Sequence, residues 1–167
     1  MSASARRGLR TAALVAAFAA LCLALHLWVF HLVRVEGSSM VDTLNSGDVA
    51  FVTRFDYRLG APRRGDVVEC RFPGRDGTYL KRLIGLPGET VEIIDGRTYI
   101  DGAALSEPYA TGPSEDYRAE LGADEYLVLG DNRSESYDSR AEDMGMLHRE
   151  DLLGRVRCVL WPFRNIE

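Results

Sequence analysis

Val91-Glu92-Ile93-Ile94-Asp95-Gly96-Arg97-Thr98-Tyr99-Ile100-Asp101-Gly102-Ala103-Ala104-Leu105 decides the fold class. Two Asp-Gly pairs punctuate this stretch, each between short runs of apolar and β-branched residues. A tight two-residue hairpin turn needs positive φ at both central positions, which makes Asp-Gly one of the strongest short hairpin signals. The stretch therefore predicts three successive strands. Upstream, Val49-Ala50-Phe51-Val52 follows a Gly-Asp turn, Arg64-Gly65-Asp66 reads as a turn leading into Val67-Val68, and Tyr79 to Gly85 is closed by Leu86-Pro87-Gly88. Downstream, residues 106–124 are polar and turn-rich and predict a loop. Tyr126 to Leu129 and Leu153 to Leu160 complete the strands. No long amphipathic helix is visible after residue 34, so the domain is expected to be mostly β.

The N-terminus is of another kind. Arg6, Arg7 and Arg10 precede Thr11 to Val33, which contains no Asp, Glu, Lys or Arg, and Arg34 follows. Twenty-three helical residues reach ~34 Å, enough for a hydrocarbon core of ~30 Å. The expected organisation is a cytoplasmic tail over 1–10, a transmembrane signal-anchor helix over 11–33 and an extracytoplasmic β domain over 34–167. The basic cluster before the span sets that orientation. Cleavage after Ala17-Phe18-Ala19 is the alternative, but the apolar run outlasts the core of a signal peptide. His26 and His31 fall at the outer end of the span.

A chain of 167 residues with net charge −5 and no basic cluster beyond its first ten residues excludes nucleic acid as an expected partner. Cys22, Cys70 and Cys158 lack the close pairing of a zinc site, and no metal or cofactor is expected. Cys70 and Cys158 lie in strand-like runs and read as small buried hydrophobes, with a disulfide as the alternative.

Elimination narrows the chemistry. A Ser-His-Asp triad needs a histidine in the β domain, where only His148 occurs, in a polar connection. Metal hydrolases and cysteine proteases fail for the same reason. A serine can also be activated by an amine of lowered pKa. Lys81 is the only lysine among twenty basic residues, and it is the one basic side chain there that can lose its proton. Bringing such an amine from ~10.4 to the ~7–8 useful to a general base disfavours its charged form by ~4 kcal/mol. Burial can supply that, with Tyr79-Leu80 and Leu83-Ile84 as walls. Without companion motifs, Lys81 reads first as a solvated strand residue.

Its companions are Gly37-Ser38-Ser39-Met40, Arg64-Gly65-Asp66, Tyr79 to Gly88, and Gly130-Asp131-Asn132-Arg133-Ser134-Glu135-Ser136-Tyr137-Asp138-Ser139-Arg140, in that order behind one apolar span. This set closely resembles the bacterial type I signal peptidases, from the span to Trp161. The resemblance implies a signal-peptidase-like β domain behind one transmembrane helix in the bacterial cytoplasmic membrane. It implies a serine-lysine endopeptidase that cleaves signal peptides from secreted preproteins after Ala-x-Ala, beside membrane lipid. By position, Ser39 matches the nucleophile, Lys81 the general base, Ser136 the hydroxyl that orients the amine, and Asp138 with Arg140 a supporting ion pair. Asp131, Asn132 and Arg133 match structural residues of the same loop. Val35, Met40, Tyr79 and Leu80 fall around the pockets for small side chains, though each reads equally as core.

Two positions depart from the pattern. Gly37 stands where members often carry a serine that assists the Ser39 N–H in the oxyanion hole, and Asp42 stands where a proline precedes Thr-Leu. Two other readings remain open: a specialised serine-lysine processing peptidase for a pilin-like or secretion-system substrate, and a non-catalytic membrane-tethered β domain.

Overall fold

The structure, a computed structural model, describes residues 3–28 and 30–166. Met1 and Ser2 of the expected tail, Val29 of the expected span, the His26 side chain and Glu167 lie outside the described residues.

Helix α1 covers Ala3–Trp28. It ends sooner than expected, because Phe30–Arg34 forms strand β1. Residues 30–33 pair with Thr53 to Ala50 of β2 (Val49–Thr53), and Phe30 packs on Phe51 with ring centroids 5.2 Å apart. The partner strand thus overrides an apolar run that reads as helix when taken alone. Among the described residues no helix is long and apolar enough to cross a membrane. Of the span expected over 11–33, residues 11–28 are helix and 30–33 are strand.

A short helix, α2 (Asp56–Leu59), follows β2. Then come β3 (Val67–Cys70), β4 (Tyr79–Gly85), β5 (Thr90–Ile94), β6 (Arg97–Ile100), β7 (Ala103–Ala104), β8 (Tyr117–Glu120), β9 (Leu127–Leu129), β10 (Leu152–Trp161) and β11 (Arg164–Asn165). They form two sheets. The larger runs β1-β2-β10-β3-β4-β9 with β11 paired to β10, and the smaller runs β7-β6-β5-β8. The mostly β expectation stands. Both Asp-Gly pairs form their turns, Asp95 and Gly96 at φ 49° and 74°, Asp101 and Gly102 at 49° and 79°. Strand β8 lies inside the expected 106–124 loop, paired with β5.

Three apolar clusters hold the sheets. One gathers Val68, Cys70, Phe72, Leu83, Val128 and Leu147, a second Val35, Met40, Leu44, Val52 and Val159, and a third Ile84, Val91, Ile93 and Leu129. Strand β4 borders all three, since alternate side chains leave opposite faces of a strand. The three cysteines are free, and burial pushes the Cys70 thiol up to about 12, which leaves it unreactive.

Candidate active site

Lys81 leaves β4 on the same face as Leu83, and its neighbours strip it of water until only 3% of it is exposed. Burial holds its pKa below the ordinary value, and the Arg140 charge acts in the same sense. The Asp138 carboxylate pulls the other way, but burial outweighs it. Lys81 Nζ donates to Ser136 Oγ at 3.0 Å.

Ser136 closes the short turn Arg133–Glu135, and its hydroxyl helps to stabilise the charge of Asp138, a completely buried carboxylate. Burial acts to raise the Asp138 pKa. The paired guanidinium of Arg140, the Ser136 hydroxyl and the Gly130 N–H at 2.9 Å overcome that and hold it below the usual range. Arg140 Nε and Nη2 meet the two Asp138 oxygens at 2.8 and 2.9 Å, and Nη2 also donates to Arg133 O at 2.8 Å.

Ser39 sits five residues beyond β1, half-buried, on a loop tied to the Asp131–Arg133 segment. Asn132 N donates to Ser39 O at 3.0 Å, and Asn132 Nδ2 donates to Ser38 O at 3.2 Å. The Ser39 N–H has no acceptor among the described residues. Ser39 and Lys81 line one cavity of about 270 Å³, together with Val35, Met40, Tyr79 and Leu80. All four expected pocket residues thus border the serine. Val35 and Met40 also belong to the apolar core. Asp42 is exposed and lies off this cavity.

Two braces were not visible in the sequence. A Cβ at Gly130 would collide with Ser136 Oγ and Ser39 O, so this glycine lets the two serine-bearing segments close over β9. Buried Arg82, one residue past Lys81 and on the opposite face, meets Asp131 through Nε at 2.8 Å and Nη2 at 2.7 Å. Its guanidinium lies 3.8 Å from the Tyr109 ring centroid, and Asp131 accepts from Thr43 at 2.5 Å. The lysine strand, the serine loop and the Ser136 loop are thereby locked together. His148 is exposed, as expected, and caps the turn Arg149–Asp151. Among the described residues no group of His, Cys, Asp and Glu could hold a metal.

A family model described as "Signal peptidase, peptidase S26" matches residues 8–161. The chain is similar to signal peptidase I of Leptolyngbya laminosa, 36% identical over 79% of this chain and 69% of that protein. It is similar to signal peptidase I of Bacillus licheniformis, 35% identical over 87% of this chain and 84% of that one. For signal peptidase I T of Bacillus subtilis (strain 168) the identity is 35%, over 87% and 81%. The crystal structure of a signal peptidase I from Enterococcus faecalis V583 aligns with TM-score 0.52 and 33% identity, covering 57% of this chain and 97% of that one.

Proposed function

The chain belongs to the signal peptidase family, peptidase S26, whose members are serine endopeptidases acting on exported preproteins, and from that membership we propose how this chain cuts. Ser39 is the nucleophile and neutral Lys81 is its general base. The observation that carries this reading is the desolvated Lys81 amine, which shares a cavity with Ser39 and donates to Ser136 Oγ at 3.0 Å. With one N–H spent on Ser136, the nitrogen lone pair is free for the Ser39 hydroxyl hydrogen.

Ser39 Oγ then adds to the scissile carbonyl as Lys81 takes its proton. The oxyanion is met by the Ser39 N–H, and Lys81 returns the proton to the leaving amine, releasing the mature chain. Water deprotonated by the same amine hydrolyses the ester on Ser39. Ser136, Asp138 and Arg140 keep the lysine aimed. The precursor lies extended along the cavity between β1 and β4, where main-chain pairing gives binding and two shallow pockets select Ala-x-Ala.

The apolar N-terminal segment that contains α1 holds the chain at the cytoplasmic membrane, with the β domain outside. Support comes from Thr11 to Trp28, which carries no Asp, Glu, Lys or Arg and as helix extends ~27 Å. The test is cleavage of a panel of exported precursors by the full chain and by Ser39→Ala and Lys81→Arg. Both variants are expected to lose cleavage, Ser39→Ala while keeping its unfolding temperature, and robust turnover by either would overturn the dyad.

A further inference from the structure

A second cavity, of about 450 Å³, lies apart from the Ser39 groove and is lined by Arg54, Tyr57, Arg71, Arg149, Glu150 and Leu152, with Leu153 beside them. Its place follows from register. Phe30 opposes Thr53, Thr53 opposes Arg155, Arg155 opposes Val68, and Leu152 opposes Cys70. Arg54, Leu152 and Arg71 therefore stand at the end of the larger sheet where α1 runs into β1.

The three guanidiniums there differ from their neighbours. Arg155 and Arg157 are matched by Asp66 and Asp56. Arg54 makes no ion pair among the described residues. It approaches His31 Nε2 at 3.4 Å, and its Nε is buried with no hydrogen-bond partner. The Arg71 side chain has neither hydrogen bond nor ion pair among the described residues. Arg149 is held in place, donating to Tyr57 O and, at 2.6 Å, to Gly60 O, with its guanidinium 5.3 Å from the Tyr57 ring centroid. Glu150 is the one acid in the lining, so the cavity carries an excess of two positive charges in a chain of net charge −5. Phe55 and Leu59 are exposed close by, Leu59 at 82%.

Convergent guanidiniums with unspent N–H groups match the oxygens of a phosphate group, which accepts such donors in pairs. We propose that this cavity binds a phosphate-bearing anion, presented by an anionic lipid headgroup or taken up as free phosphate. The lipid source rests on the reading of α1 as the membrane anchor, since basic side chains at a bilayer surface draw anionic headgroups. Bound anion would then fix the height and tilt of the β domain over the bilayer.

The test uses the full chain in neutral detergent. Thermal unfolding is followed against dihexanoyl phosphatidylglycerol, dihexanoyl phosphatidylcholine and inorganic phosphate, for the native chain, for Arg71→Gln and for Arg54→Gln/Arg71→Gln. Phosphatidylglycerol is expected to raise Tm saturably and phosphatidylcholine to leave it unchanged. The shift should shrink in the single variant and vanish in the double one, with preprotein cleavage in anion-free detergent unaltered. An equal, arginine-dependent shift with inorganic phosphate supports the site and assigns free phosphate as its source. No saturable shift with either anion, or an undiminished shift in Arg71→Gln, overturns the proposal. The Arg71 side chain holds nothing in the fold, so that variant stays interpretable if the double one unfolds. Failure of the anchor reading would show separately, as a chain that stays monodisperse once detergent is removed.

Discussion

In the proposed mechanism Lys81 concentrates the chemistry in one atom, and its burial has a thermodynamic signature. Its folded pKa lies below the ordinary 10.5, so between those two values the unfolded chain binds more protons than the folded one. Stability must therefore rise as pH climbs through that window, and the burial penalty is fully present below the folded pKa. Lys81→Met removes the ionisable group and keeps the apolar stem. It is expected to abolish cleavage, to unfold no more easily than the native chain at pH 7, and to lose that rise, as read by thermal unfolding from pH 6 to pH 10. Gly130→Ala is the complementary test, because its methyl group would push Ser136 away from Ser39. A fall in kcat of about 100-fold or more is expected, comparable to a misplaced catalytic group, and native-like kcat would show that the two segments need not close. Lys81 was legible in the sequence because it is chemically unlike the nineteen other basic residues. Gly130 was not, since nothing local marks a glycine that admits a segment ninety residues away.

At the scale of elements, β4 joins reactivity to framework by alternation: Lys81 faces one side and Arg82 the other. The buried Arg82–Asp131 pair ties β4 to the loop that holds Ser39 O and Ser136. Removing one partner leaves the other charge buried and unmatched, so Asp131→Ala is expected to cost about 3 to 5 kcal/mol. Chemical denaturation measures this, and a loss under 1 kcal/mol would mean the pair is dispensable. The Asp-Gly hairpins of β5 to β7 were readable because backbone sterics dictate them locally. Strand β1 was not, since Phe30 to Val33 extends an apolar run and becomes a strand only through β2. Nor was β8, whose Tyr117-Arg118-Ala119-Glu120 is too polar to stand out from its loop before it pairs with β5.

For the whole molecule, the division of labour is between a larger sheet that carries the lysine, the loop of Ser39 and the junction with α1, and a smaller sheet that packs on it through Ile84, Val91 and Leu129. Family membership rests on a match over residues 8–161, whereas the proposed reaction depends on one proton. That proton can be watched directly, because the chain has a single lysine. Full-length protein carrying isotopically labelled lysine gives one side-chain ammonium signal, whose NMR titration can be compared with the acid limb of the cleavage rate. The expected result is a Lys81 midpoint well below 10.5 that coincides with the rise in kcat/KM. A midpoint at or above 10.5, with cleavage already maximal at pH 8, would contradict the neutral-lysine mechanism.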